Sequence, residues 1–325
     1  MPGFGEQATE PPLIAVVGPT ASGKTAVGIA LAHLLRGEII SADAVAVYRD
    51  LNIGAAKPDA EERRQAVFHL LDVVEPDEDF TLADFEQQAN AAISEIRARG
   101  RVPILVGGTG LYVRSVTATL TVPNVPPQSA LREALWQEVE SQGAPALHLQ
   151  LANIDVVTAS KVHPGDAKRI IRALEVYRTT GQPLSAFHTA EGVQGVPRPN
   201  TLLFGLRWER ETLYKRIEER VDTMMASGFL EEVRELQNRG FGAGLKSMQS
   251  LGYRHLLRHL SGEASLEEMV AELKRDTRRY AKRQISWFNA DSQVRWIDVP
   301  ERNMTTEAVA AVIYEQVNRS IKSPP

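Results

Sequence analysis

The sequence contains no cysteine in its 325 residues. This absence excludes disulfides, a thiol nucleophile and zinc–thiolate sites, and it fits a reducing compartment. No apolar run approaches the roughly 18 residues of a membrane span. The N-terminal stretch MPGFGEQATEPP also lacks the basic and apolar regions of a signal peptide. We therefore expect a cytoplasmic protein without a membrane segment.

The chain also lacks a strong charge imbalance, since its formal net charge is −4. Any site for a polyanion must therefore be a local patch rather than a property of the whole surface. The apolar fraction of 43% and the charged fraction of 24% indicate a globular protein with a core. The length allows one large domain or two ordinary ones.

The first stretch that carries chemistry is GPTASGKT, which lies between the apolar PLIAVV and the helical AVGIALAHLL. It fits G-x-x-x-x-G-K-[ST], in which glycines let backbone N–H groups approach phosphate oxygens at the N-terminus of a helix. Lys24 supplies a positive charge, and Thr25 is the expected Mg²⁺ ligand. The pattern predicts binding of a phosphate chain without saying which compound carries it. The predicted diphosphate-binding residues are Gly18, Pro19, Thr20, Ala21, Ser22, Gly23, Lys24 and Thr25.

Strand and helix patterns alternate behind this loop. Strands are predicted at 13–18, 37–43, 69–74, 102–110, 201–208 and 294–299, and one long helix at 81–100. This order predicts an α/β fold, a P-loop NTPase-like parallel sheet flanked by helices on both faces, with a helical insertion domain. The predicted parts are a disordered leader at 1–12, a P-loop core with C-terminal helices at 13–122 and 200–325, and the insertion at 123–199.

Two strand ends carry candidate reacting groups. Asp43 ends the second predicted strand, at the edge where parallel sheets hold ligands. Its carboxylate can accept a proton or hold a metal, and an aspartate that caps a turn fits equally well. The turn GGTG closes the fourth predicted strand and offers the Thr109 hydroxyl, although a simple tight turn fits too. Because no acidic residue ends that strand, an ordinary ATPase is disfavoured.

Two segments concentrate basic residues. Lys168, Arg169 and Arg172 share one predicted helix, and KRDTRRYAKRQISWF carries six basic residues that only one acid interrupts. The second segment predicts polyanion contact, with a solvated helix face as the alternative. Arg216 and Arg220, four residues apart on a predicted helix, can reach a diphosphate. The histidines are scattered without metal-ligand spacing, which indicates structural roles.

Seven stretches together resemble one family. They are GPTASGKT, ISAD…VYRDLNIGAAKP, FHLLDVVEPDEDFTLADF, VPILVGGTGLYVRSV, HPGDAKRIIRALEVYRTTG, QSLGYR and TRRYAKRQISWF. Their order is that of the tRNA dimethylallyltransferases, also called tRNA isopentenyltransferases. The resemblance extends from about Leu13 to Asp298, and TRRYAKRQ with GGTGLY is its specific part.

The resemblance implies a reaction and a use for the loop. The P-loop would grip dimethylallyl diphosphate with Mg²⁺, and the acceptor would be N6 of adenine 37 in tRNAs that read codons beginning with U. This adenine would be flipped into a channel that the donor enters from the other side. The resemblance makes Asp43 the general base, places Thr109 near the acceptor or the bridging oxygen, and assigns Lys24 and Arg220 to the leaving diphosphate. Arg216 is an equally good neighbour for the last role.

The resemblance also implies a tRNA surface, with the insertion binding the anticodon stem-loop of a tRNA held by a monomer. The implied tRNA-contacting residues are Asp43, Ala44, Val45, Ala46, Thr109, Arg132, Lys168, Arg169, Ile170, Ile171, Arg172, Gln249, Ser250, Leu251, Gly252, Tyr253, Arg254, Arg278, Lys282 and Arg283.

The sequence departs from the family pattern at three positions. The family usually continues the base as Asp-Ser-x-Gln-Val-Tyr, whereas this chain has Ala44 and Ala46, and Ala55 stands where threonine is common. Three alternatives stay open. A P-loop small-molecule kinase would use Asp43 to activate a hydroxyl. An RNA-stimulated ATPase would hydrolyse ATP, and a divergent family member would be weakly active.

Overall fold

The computed structural model describes residues 10–120, 125–126, 128–187, 195–299 and 305–322. Most of the predicted leader, residues 1–9, lies outside this part. The chain divides into two compact units, one formed by Met1–Thr117 with Pro197–Pro325 and the other by Ala118–Val196. The predicted insertion, 123–199, overlaps the second unit except for residues 197–199, which belong to the first.

The strands of the described residues are β1 (Leu13–Val17), β2 (Gly37–Ala42), β3 (Phe68–His69), β4 (Val102–Gly107), β5 (Ala118–Thr119), β6 (Val196–Pro197), β7 (Thr201–Arg207) and β8 (Val294–Asp298). The helices are α1 (Lys24–Leu35), α2 (Ala60–Gln65), α3 (Leu82–Ala98), α4 (Gly110–Thr117), α5 (Ser129–Gln142), α6 (Ala144–Ile154), α7 (Val156–Ala159), α8 (Ala167–Thr180), α9 (Arg210–Ala226), α10 (Phe229–Asn238), α11 (Tyr253–Leu260), α12 (Leu266–Asn289) and α13 (Thr306–Lys322). None of these helices is long and apolar enough to cross a membrane.

The first unit is built on a parallel sheet of six strands in the order β3-β2-β4-β1-β7-β8. Successive side chains of a strand point to opposite faces, so both faces of this sheet can be apolar. Leu13, Ala15 and Val17 pack with residues of α3, α4 and α10–α12, whereas Ile14 and Val16 pack with residues of α1 and α13. Helices therefore cover both faces, and the predicted fold class is confirmed.

Two strand predictions need correction. The strand predicted at 69–74 ends at His69, because Leu70 and Asp72 adopt positive φ angles of 61° and 58°. After this turn the chain pairs with the loop that follows β2, and the Val73 N–H donates to the Val47 carbonyl at 2.7 Å. The fourth predicted strand ends at Gly107 rather than at Gly110, where α4 begins.

The second unit has a small helical core of its own. Leu135 of α5, Leu147 and Leu151 of α6, and Ile170 and Leu174 of α8 pack together with almost no exposed surface. The spacing of four residues within α6 and within α8 is that of an amphipathic helix with one buried face.

Candidate active site

The carboxyl ends of β1, β2 and β4 open into a cavity of about 610 Å³, all of it within the first unit. Ligands of open parallel sheets bind at this edge. The lining brings together predicted residues from distant parts of the sequence, namely the loop at 20–25, residues 43–46, Thr109, Arg220 and residues 250–252. Residues 54–58, Thr277, Tyr280 and Gln284 also line it.

The loop between β1 and α1 has the backbone of a phosphate-binding turn. Gly18 and Gly23 have φ angles of 144° and 85°, a region that side chains other than glycine rarely enter. Gly23 lies immediately before Lys24, the first residue of the twelve-residue helix α1. The Lys24 ammonium donates a hydrogen bond to the Pro19 carbonyl at 2.6 Å and so lies across the loop. The loop and the start of α1 thus form a site for an anion.

Two cations are crowded together in this cavity. Burial and, to a smaller extent, the nearby Arg220 guanidinium lower the pKa of Lys24 to about 7, while Asp43 opposes both effects. Burial also lowers the pKa of Arg220, again with Asp43 opposing and Arg216 adding to the decrease. A bound anion reverses such shifts because it favours the charged forms. The electrostatics therefore suit a ligand with several negative charges.

Arg216 and Arg220, which the sequence leaves equivalent, have different surroundings. The Arg216 Nε donates to the Ala21 carbonyl at 2.9 Å, and its guanidinium lies 4.3 Å from the centre of the Trp208 ring. The Trp208 indole N–H in turn donates to the Ser22 carbonyl at 3.0 Å. Arg216 therefore supports the loop backbone, while Arg220 lines the cavity.

Asp43 and Thr109 are brought together by the pairing of β2 with β4. The Asp43 Oδ1 accepts hydrogen bonds from the N–H groups of Val45 at 2.8 Å and Ala46 at 3.2 Å. The Thr109 hydroxyl accepts one from the Ala44 N–H at 3.0 Å. The carboxylate therefore caps its own turn and also borders the cavity. The interpretation of Asp43 as a turn cap is thus compatible with its interpretation as a reacting group.

Sequence reasoning missed Gln284 as a site residue. This buried side chain accepts a hydrogen bond from the Thr20 N–H at 2.8 Å and donates one to the Gly108 carbonyl at 2.9 Å. It thereby joins the phosphate loop to the turn that carries Thr109. The signal was a polar residue on the buried stripe of α12, between Thr277 and Phe288 at helical spacing.

Tyr280 of α12 also lines the cavity. Burial and the nearby Asp43 carboxylate both raise the pKa of its hydroxyl, and a hydrogen bond with Thr109 opposes them. The hydroxyl therefore stays protonated and can serve as a hydrogen-bond donor beside Asp43.

The structure corrects part of the predicted tRNA surface in the first unit. Tyr253 is fully buried, and its hydroxyl donates to Glu232 at 2.7 Å, so its side chain is not at a surface. Ser250, Leu251 and Gly252 line the cavity. Gln249, Lys282 and Arg283 are exposed, whereas Arg254 and Arg278 form ion pairs with Asp276 at 3.2 Å and Glu218 at 2.5 Å.

The second unit needs a similar correction. Ile170 and Ile171 are buried in its core, because they lie on the apolar face of α8, and their side chains cannot contact an RNA. Arg132 and Arg172 both form ion pairs with the fully buried carboxylate of Glu175, at 2.8 and 2.6 Å. The exposed basic side chains of the predicted set in this unit are Lys168 and Arg169.

The cavity offers oxygen atoms that suit Mg²⁺. Thr25, in the first turn of α1, and Asp43 both line it. Mg²⁺ prefers oxygen ligands and usually keeps several waters while it binds phosphates of a substrate. Within the described ranges, the one cluster of three acidic or histidine side chains is His255 with Glu272 and Asp276. Arginines form ion pairs with both of its carboxylates, which disfavours a cation there.

Comparison with known proteins gives a consistent result. The IPP transferase family model matches residues 46–291, and the isopentenyl transferase model matches residues 11–72. The chain is 49% identical to the tRNA dimethylallyltransferase of Desulforudis audaxviator over 291 residues, covering 90% of this chain and 93% of that protein. It is 48% identical to the Geobacter metallireducens enzyme of the same name, covering 89% and 93%.

Solved structures agree. The tRNA isopentenylpyrophosphate transferase of Bacillus halodurans has a TM-score of 0.69 and 39% identity, covering 97% of this chain and 99% of that one. A eukaryotic dimethylallyltransferase described as acting on tRNA has a TM-score of 0.79 and 27% identity, covering 96% and 80%.

Proposed function

We propose that this chain, which belongs to the IPP transferase family, transfers a dimethylallyl group from dimethylallyl diphosphate to tRNA. The acceptor that we propose is N6 of adenine 37, beside the anticodon of tRNAs that read codons beginning with U. The observation that carries the proposal is the cavity itself. It combines a phosphate loop and two crowded cations with the Asp43 carboxylate, and Thr109 rather than an acidic residue follows β4.

The cations act on the leaving group. An allylic carbon ionises readily once the charge on its diphosphate is neutralised, so catalysis needs mainly electrostatic stabilisation and positioning. Lys24 and Arg220 supply fixed positive charge where the diphosphate departs, and the loop N–H groups hold its oxygens. Arg216 keeps the loop in shape through the Ala21 carbonyl.

Asp43 acts on the acceptor. The exocyclic amine of adenine is a weak nucleophile and becomes cationic as its new N–C bond forms, so a carboxylate within reach can take the proton. Thr109 and Tyr280 lie beside Asp43 and offer hydroxyl groups that orient the amine. Thr25 would hold Mg²⁺, which would neutralise part of the diphosphate charge when bound.

The tRNA is held by exposed basic side chains, Lys168 and Arg169 on the second unit and Lys282 and Arg283 on the first. The adenine must leave its stack to reach the cavity, as in other enzymes that modify bases. Ala44 and Ala46 leave room beside Asp43 where the family more often has polar side chains. We further propose that the protein works as a cytoplasmic monomer.

The test is mass spectrometry of nucleosides from an unmodified tRNA of this class, after incubation with protein, Mg²⁺ and dimethylallyl diphosphate. We expect N6-dimethylallyladenosine. Asp43→Asn keeps an oxygen for the Val45 and Ala46 N–H groups but removes the base, so the rate should fall by about 10² or more. Asp50→Asn is the matched control, because the one ion pair of Asp50 in the described part of the chain is with the Arg239 guanidinium at the surface. ATP consumption without modified adenosine would instead support the kinase or the ATPase.

A further inference from the structure

One carboxylate outside the proposed reacting groups holds a loop and the start of a helix at once. Glu232, in the first turn of α10, accepts hydrogen bonds from the N–H groups of Asn52 at 3.1 Å, Ile53 at 2.7 Å and Gly54 at 3.2 Å. The Tyr253 hydroxyl donates to Oε1 of the same carboxylate at 2.7 Å. Consecutive N–H groups that converge in this way form an anion-binding nest. Here the chain fills the nest with its own side chain.

Both tied segments continue into walls of the cavity. Residues 54–58, which start at the last residue of the nest, line it, and residues 250–252 line it directly before Tyr253. The contact between them is close. A Cβ atom added to Gly54 would lie 2.3 Å from the Tyr253 ring and 2.4 Å from Phe229. The position of one wall relative to the other therefore depends on the packing and hydrogen bonding at this point.

The burial of the Tyr253 hydroxyl strengthens the case. Tyr253 is fully buried, and burial together with the Glu232 carboxylate raises the pKa of its hydroxyl. A buried hydroxyl and three N–H groups thus share one acceptor residue. Removing that acceptor leaves several donors without partners, which costs more than a single surface hydrogen bond.

We propose that Glu232 is a positioning residue for the tRNA, because it orders the two cavity walls that receive the flipped adenine. The inference rests on the proposed function for its substrate, since residues 250–252 belong to the predicted tRNA-contacting set. In the hydrogen bonds of the described residues, Glu232 has no contact with the phosphate loop at 18–25. Binding of the diphosphate donor should therefore be independent of it.

Glu232→Gln tests the proposal, because it keeps the shape of the side chain and removes the charge and one acceptor. Glu231→Gln is the matched control, since Glu231 is exposed and, among the residues that the structure describes, forms its one ion pair with Arg234 at 3.6 Å. We expect the KM for tRNA to rise about tenfold in Glu232→Gln, with a smaller change in kcat and a donor KM within about twofold of wild type. Hydrogen exchange at the amides of 52–54 should also become faster.

Tyr253→Phe provides a second variant, because it removes one hydrogen bond and leaves the nest intact. It should raise the tRNA KM by less than Glu232→Gln, and the double variant should match Glu232→Gln alone. An unchanged tRNA KM in Glu232→Gln, an equal rise in donor KM, or the same effect from Glu231→Gln would overturn the proposal. A wild-type protein that forms no product refutes the proposed function instead. In that case hydrogen exchange at 52–54 still tests whether Glu232 orders this segment, because the measurement needs no turnover.

Discussion

Protonation of Lys24 on donor binding is the most specific electrostatic consequence of the site. Without an anion, burial and Arg220 hold the pKa of Lys24 at about 7. A diphosphate in the loop favours the charged ammonium and raises this pKa again. At any pH between the pKa of Lys24 in the free protein and its pKa in the donor complex, binding must therefore take up protons. The affinity for the donor must weaken as the pH rises through that range.

The size of the uptake follows from the lowered pKa. At pH 8, roughly one free Lys24 in eleven is protonated if its pKa is about 7, so binding should take up roughly 0.9 proton at this residue. At pH 6 most of the free Lys24 is already charged, and the uptake at this residue should fall to roughly 0.1 proton. The uptake should thus decrease steeply as the pH is lowered.

Titration calorimetry with dimethylallyl diphosphate, in buffers of different ionisation enthalpy, measures this uptake. Lys24→Met should bind more weakly and lack the component that Lys24 contributes. Lys215→Met is the matched control, because Lys215 is an exposed residue of α9 whose one ion pair within the described ranges is with Glu219 at 4.0 Å. Equal proton uptake by wild type and Lys24→Met at pH 8 would refute the assignment of the buried cation to the donor site.

Two further predictions concern buried polar side chains. Gln284→Ala removes the hydrogen bond to the Thr20 N–H, so the free energy of unfolding should fall by about 1–3 kcal/mol and the KM for the donor should rise. Urea unfolding measures the first effect and donor titration the second. The exposed Gln237→Ala is the control, and it should change neither. Glu175→Ala leaves Arg132 and Arg172 of the second unit without their buried partner. The free energy of unfolding of the protein should therefore fall by about 3–5 kcal/mol. Thermal unfolding measures it, and a loss no larger than that of exposed Glu140→Ala would contradict the structure.

Much of the fold was predictable because its signals are local. The loop at 18–25 combines glycines, a strand and a helix within a short segment, and apolar runs mark the central strands. The exception at 70–74 is instructive. HLLDVV has the composition of a strand, but the positive φ angles of Leu70 and Asp72 turn the chain toward the loop after β2. This turn is stabilised by tertiary pairing and by ion pairs of Asp72 with Lys57 and Arg63. The residues within the segment itself do not reveal these contacts.

The site was predictable to a different degree. Asp43, Thr109 and Lys24 were found because each follows a strand or a glycine turn, and parallel strands bring such ends together. Gln284 was missed because its partners, a backbone N–H and a carbonyl, have no sequence signature. The choice between Arg216 and Arg220 also needed coordinates, since both lie on one face of α9 and only their neighbours differ.

The central claim is that the cavity transfers a dimethylallyl group from its diphosphate to the N6 amine of an adenine. The most direct measurement is a single-turnover reaction with limiting tRNA, in which diphosphate release and modified adenosine are counted in the same sample. We expect one diphosphate for each N6-dimethylallyladenosine and no turnover when ATP replaces the donor. Diphosphate release without alkylated tRNA, or ATP turnover in place of both, would contradict it.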